Sequence, residues 1–193
     1  MMQSKLWAGV VLLAGSAFSA SALADARQDV IDSFTKAFSR GEYTAQIATQ
    51  VRGKDYTTTM RVEWPSKFHM KNPDTEMIIL PQGTWMNAGG QWMQMPMNMS
   101  QMIASYSKDA MEKGIQGLGE VSEVGEETVE GCASKLYRYT ASGEFMGVKS
   151  KSDSEVAICQ DNGYPVRVRS RDGKDAVTIV YDFATDVDIQ PPR

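Results

Sequence analysis

Apolar positions along this chain change period more than once. From Asp25 to Arg40 they recur at helical spacing: Val30, Ile31, Phe34, Ala37 and Phe38 share one face, and Gly41 follows as a C-terminal stop. The period then drops to two. Tyr43, Ala45, Ile47, Thr49 and Val51 alternate with mostly polar residues, Gly53-Lys54 turns the chain, and Tyr56, Thr58, Met60, Val62 and Trp64 alternate again. This pattern predicts a meander of half-buried antiparallel strands. After Pro65-Ser66, Lys67 to Asn72 reads as a short strand carrying Phe68 and Met70. Thr75 to Leu80 follows, where Met77-Ile78-Ile79-Leu80 is apolar on both faces, so something is expected to cover each side of it.

The stretch Thr84 to Met111 carries the strongest local signals. Two Trp-bearing segments, Thr84–Ala88 and Gln91–Met95, flank Gly89-Gly90, which predicts a tight hairpin. Past Pro96 the period returns to helical. Met99, Met102, Ile103, Tyr106 and Ala110 form one apolar stripe, Asn98 with Gln101 three residues on reads as an N-cap pair, and Gly114 as a stop. Methionine is flexible and polarisable, so a Met-loaded joint between sheet and helix suits an apolar cavity under a helical lid. Ordinary packing of a helix on a sheet produces the same pattern.

From Leu118 to Ile189 the chain is β again. Glu120 to Glu130 is acidic and Gly-punctuated. Lys135 to Ala141 and Ser154 to Gln160 read as strands, and Asp161-Asn162-Gly163 as a turn. Tyr164, Val166 and Val168 then face one way and Arg167, Arg169 and Arg171 the other. Asp172-Gly173 is a second hairpin signal, Val177 to Phe183 closes the sheet, and Pro191-Pro192 ends an extended tail. The sum is an α+β domain, mostly antiparallel: one curved sheet of about ten strands, with an N-terminal helix and a mid-chain lid helix on the concave side. A sheet of that size curls, and its concave face needs a packed core or a ligand.

Composition changes this picture at the N-terminus. Lys5, the apolar run Leu6 to Phe18 and Ala22-Leu23-Ala24 have the form of an export signal with an A-x-A cleavage site. Residues 1–24 are expected to be removed, leaving a single domain, 25–193. Removing one Lys from a net charge of −4 leaves −5, a balance that argues against nucleic acid as a partner. Cys132 and Cys159, the two cysteines of an exported chain, read as a disulfide, with a metal or redox pair disfavoured by their spacing.

Catalysis finds little support. His69 is the single histidine, set between Phe68 and Met70 with no acid beside it in sequence, and reads as structural. No nucleophile elbow, zinc-protease, phosphate-loop or dinucleotide motif is present, so no enzyme activity and no cofactor is expected. Met93, Met95, Met97 and Met99 alternate, and soft thioethers select Cu(I), which keeps a copper-binding protein as one alternative. The Arg167, Arg169 and Arg171 stripe reads as a strand face paired with acids across the ladder, or as a dock for an anionic head group.

Taken together, the export signal, first helix, strand meander, W-P-x-x-F at Trp64–Phe68, short apolar strand, G-T-W-M at Gly83–Met86 and mid-chain lid resemble the LolA-type lipoprotein carrier superfamily. The resemblance covers essentially the whole expected mature chain and rests on order and spacing. It implies a periplasmic half-barrel that shields the acyl chains of a lipid or lipoprotein, with a membrane-bound loading or receiving protein as a further partner. Phe68, Ile78, Leu80, Trp85, Trp92, Met95, Met99, Met102 and Ile103 are the residues assigned to its cavity and lid. The chain departs from the sorting chaperone of that group at Trp64, where a basic residue typically precedes the proline. A non-catalytic sensor or scaffold that binds a protein partner is the other alternative.

Overall fold

The computed structural model describes residues 19–103, 113–145 and 148–192. Most of the expected export signal lies outside them, as do Tyr106 and Ala110 of the lid stripe. Helix α1 runs Ser19–Arg40, continuous through the expected cleavage point, and ends at Gly41 in a positive-φ conformation. Among the described residues eleven strands follow, where the alternation predicts about ten. The first six are β1 Glu42–Val51, β2 Lys54–Glu63, β3 Lys67–Lys71, β4 Thr75–Leu80, β5 Gly83–Ala88 and β6 Gln91–Gln94. The last five are β7 Leu118–Val129, β8 Cys132–Phe145, β9 Val148–Cys159, β10 Pro165–Asp172 and β11 Asp175–Asp182.

All of them form one antiparallel sheet in the order β6-β5-β4-β3-β2-β1-β11-β10-β9-β8-β7. Two meanders, each made of consecutive hairpins, are joined where β1 pairs with β11 from Thr44↔Asp182 to Gln50↔Ala176. Turn chemistry sets the hairpins. Gly89 and Gly90 both take positive φ, at 72° and 89°, as a two-residue turn between twisted strands requires. The strand order has one further effect. β6 and β7 are the two opposite edges of the sheet, yet they are joined by residues 95–117. Of that connection, residues 95–103 and 113–117 are described.

Helix α1 packs on the concave face against β7, β9 and β10. Its Ala26 and Val30 enter a core with Val121, Tyr137, Tyr139, Val156, Ile158 and Val168. Tyr137 donates a 2.8 Å hydrogen bond to Asp29, which fixes the helix azimuth. A second core forms on the same face from Val62, Phe68 and Ile79, with Met99 and Ile103 packed onto it. A third lies on the convex face: Ile78 and Leu80 are buried under Val187 and Ile189 of the C-terminal tail, with Trp85 and Trp92 alongside. The two-sided apolarity of β4 thus has two causes, the concave core on one side and the tail on the other. The tail is held by N–H donation from Val187 to Glu42 and from Ile189 to Glu63.

Candidate functional site

Between α1 and the concave face lies an open-sided cavity of about 500 Å3, within the ~300–1,000 Å3 typical of small-molecule sites. Helix α1 supplies Ile31, Phe34 and Phe38 as one wall. Met60, Phe68 and Met70 from β2 and β3, with Trp64 just beyond β2, form the opposite wall, and Ile103 and Ile115 close it from the connecting segment. Trp64 packs between Phe38 and Phe68, with ring centroids 5.4 and 6.4 Å away. The position that carries a basic residue in the sorting chaperone is here part of an apolar wall.

The helical stripe of α1 therefore continues past its core contacts. Ala26 and Val30 are buried, whereas Ile31, Phe34 and Phe38 reach the cavity. On the sheet, Met60, Met70, Met77, Met86 and Met93 are successive cross-strand partners from β2 to β6. A row of five adaptable thioethers thus runs from the cavity wall to the sheet edge. Met60 to Met86 are half-buried and Met93 is exposed.

The connecting segment is anchored at both ends. At its start, the buried Thr84 of β5 accepts the Met99 N–H on its hydroxyl at 3.0 Å, and its carbonyl accepts the Met95 N–H at 2.8 Å. Asn98 accepts the Ser100 N–H at 3.0 Å, as a helix cap does, and donates to the Pro81 carbonyl. Residues 100–103 and 113–116 are helical. At the far end, Arg27 of α1 donates to the carbonyls of Ile115, Leu118 and Gly119. Gly117 lies so close to the Ser142 carbonyl of β8 that a Cβ would collide with it.

Of the residues assigned to cavity and lid from the sequence, Phe68 and Ile103 line the cavity. Met99 packs on the Val62–Phe68–Ile79 core. Met95 is half-buried and Met102 is 55% exposed. Ile78, Leu80, Trp85 and Trp92 lie on the convex face, because pairing of Phe68 with Ile79 puts Ile79 on the cavity side and turns Ile78 and Leu80 away. The sequence reading did not assign Ile31, Phe34, Phe38, Tyr43, Met60, Trp64, Met70, Ile115, Leu118, Tyr139 or Ala141 to the cavity. The α1 stripe and Trp64 were the signals available for some of them.

Charged groups sit on the other face. Arg167 is buried to 8% exposure and makes a two-pronged bond to Glu127 at 3.1 and 2.7 Å, while Glu155 lies 3.9 Å from both Arg167 and Arg169. The Arg167 hydrogen bonds hold the Glu127 carboxyl below its ordinary range. Arg167 and Arg169 are thus paired with acids, Arg167 from β7 and both from β9. His69 bonds Glu76 at 2.7 Å in a structural contact between β3 and β4. Of the candidate copper ligands, Met93 and Met97 are 53% and 64% exposed, and Met99 is engaged in apolar packing. Cys132 and Cys159 are bonded, with Cα atoms 5.6 Å apart, and tie the outer ends of β8 and β9.

No family model matches the chain, and no curated protein matches it by sequence. Solved structures do. LprF from Mycobacterium bovis superposes with a TM-score of 0.62 at 12% identity, over 88% of this chain and 97% of LprF. The lipoprotein LppX from Mycobacterium tuberculosis gives 0.60 at 14% identity, over 86% and 99%. A chain of the Pseudomonas aeruginosa MucA/MucB complex gives 0.52 at 14% identity, over 84% of this chain and 59% of that one. The half-barrel expected from the sequence resemblance is present, and the chain has the fold of LprF and LppX.

Proposed function

We propose that the protein is a non-catalytic envelope carrier that holds acyl chains of a lipid or lipoprotein between α1 and the concave face. The observation that carries this reading is the cavity itself. It is about 500 Å3, walled by aliphatic, aromatic and thioether side chains, with Ile103 and Ile115 of the β6–β7 connection among them. Among its described lining residues the polar side-chain atoms are those of Tyr43, Trp64 and Tyr139. The fold shared with the lipoprotein LppX supports the same reading. Each ligand methylene buried there contributes about 0.8 kcal/mol, so a modest length of acyl chain gives useful affinity. Export to the periplasm and cleavage after Ala24 complete the proposal.

The test is native mass spectrometry of the protein purified from the cell envelope without detergent. A bound species of lipid mass that is lost on Ile103→Asp or Phe68→Asp is the expected result. Bare polypeptide that also fails to extract lipid from vesicles refutes the carrier. A protein-binding scaffold is the second reading, favoured by the fold shared with a chain of the MucA/MucB complex. A polypeptide that co-purifies in fixed stoichiometry with lipid-free protein would establish it instead.

A further inference from the structure

The tail beyond β11 occupies a groove on the face away from the cavity. It covers residues of β4 to β6 without entering a ladder. Val187 and Ile189 are buried against Ile78, Leu80, Trp85 and Trp92, while Asp186, Asp188 and Gln190 are exposed. Burial at every second residue is the pattern of an extended chain with one side turned to an apolar surface.

The groove also reads the tail's backbone. Val187 and Ile189 donate their N–H groups to the carboxylates of Glu42 and Glu63, and the Asp188 carbonyl accepts from Arg61 at 3.1 Å. Glu42 and Glu63 are direct cross-strand partners on β1 and β2. Like charges set opposite each other weaken a ladder. Lys67, 2.6 Å from Glu63, offsets part of that repulsion, and the two tail N–H groups offset more. In an extended chain the N–H groups of residues i and i+2 lie on one side, so a pair of carboxylates on neighbouring strands suits them. These contacts go to backbone atoms that every residue except proline carries. They select an extended shape and two apolar side chains, and they do not select the residues between.

We propose that this face is a docking groove for an extended segment of a partner protein, apolar at two alternate positions, polar between them, and with a free N–H at both apolar residues. The chain's own tail is its built-in competitor. A tethered segment acts at an effective concentration of about millimolar, so a partner enters only by exceeding that threshold. The groove and the acyl cavity lie on opposite faces and can be filled together.

A fluorescein-labelled peptide with the sequence of residues 184–192 tests this against the full protein carrying Val187→Asp and Ile189→Asp, which empties the groove. The peptide is expected to bind this opened protein, and to bind the unaltered protein about tenfold more weakly or less, because the tethered tail competes. N-methylation of the peptide at its Ile189 position removes one N–H. It is expected to weaken binding by about 10- to 150-fold, the worth of a hydrogen bond to a charged group. Serine in place of both peptide aspartates is expected to change little. Equal affinity of the methylated peptide overturns the proposal, and so does absence of binding to an opened protein that still unfolds cooperatively in urea. If the opened protein does not fold, the unaltered protein decides. Excess peptide is then expected to speed hydrogen exchange at its Val187 and Ile189 amides, and unchanged exchange overturns the proposal. A concentration-dependent dimer of the unaltered protein that the double substitution abolishes assigns the groove to the tail of a second copy and overturns the partner.

Discussion

Replacing Thr84 by Val keeps the volume and the β-branched shape of a fully buried side chain and removes one oxygen. That oxygen accepts the Met99 N–H at the start of the bridging segment. In the variant the part-buried Met99 N–H loses its acceptor, while its neighbour Met95 keeps its bond to the Thr84 carbonyl, which the substitution leaves intact. An orphaned donor costs about 1–3 kcal/mol, so the segment's local opening constant rises by about 5- to 150-fold. The first helical bond, from Ile103 N–H to the Met99 carbonyl at 2.9 Å, opens with it. Hydrogen exchange resolves this by position. The Ile103 amide is expected to exchange faster by that factor, while amides of β2 to β4 hold to within the change in global stability. Release of a bound apolar fluorophore is expected to accelerate in parallel. Unchanged exchange at Ile103, or equal acceleration across β2 to β4, would refute the assignment of Thr84 as the local anchor.

Three further outcomes follow from other parts of the molecule. Cys132→Ser with Cys159→Ser opens a 27-residue loop and is expected to cost about 3.5 kcal/mol in urea unfolding on the chain-entropy model. Burial raises the Glu76 carboxyl, but hydrogen bonds from His69 and Lys71 outweigh it, and the net shift is downward from 4.5. The unfolded chain therefore binds the proton more tightly, and the stability linked to Glu76 is fully present above about pH 4.5 and lost as pH falls through the folded value. Glu76→Gln should flatten that acid limb in a series of urea midpoints. Val187→Asp with Ile189→Asp lifts the tail from Ile78, Leu80, Trp85 and Trp92, at roughly 1.5–3 kcal/mol per buried side chain. Tryptophan emission should shift red while acyl binding persists, because the tail lies on the face away from the cavity.

Period-two alternation in Tyr43 to Trp64 and period-3.6 spacing in α1 make most elements legible in the sequence. Both patterns are local, and both are enforced by burial on one side. The limits were also physical. β4 is apolar at four consecutive positions, so its sequence carries no information about which side faces in; the pairing of Phe68 with Ile79 decides it. The tail residues Val187 and Ile189 alternate with Asp186 and Asp188 like a strand, yet they cover the sheet without joining it. β8 and β9 extend well beyond Lys135–Ala141 and Ser154–Gln160, because Ser, Gly and Lys at their ends give no apolar period to follow. The cavity was only partly legible for the same reason. Its walls come from α1, β1 to β3, β7, β8 and the connection between β6 and β7, and no local pattern reports a space between distant elements.

The two described ends of the connection between β6 and β7 are fastened to different elements. The first is held to the sheet through Thr84 of β5, and the last to the helix through Arg27 of α1. Each end therefore carries its own latch, and the two latches draw on separate cores. A perturbation that loosens Thr84 is expected to leave the Arg27 fastening in place, and the reverse, so the two ends are independently releasable.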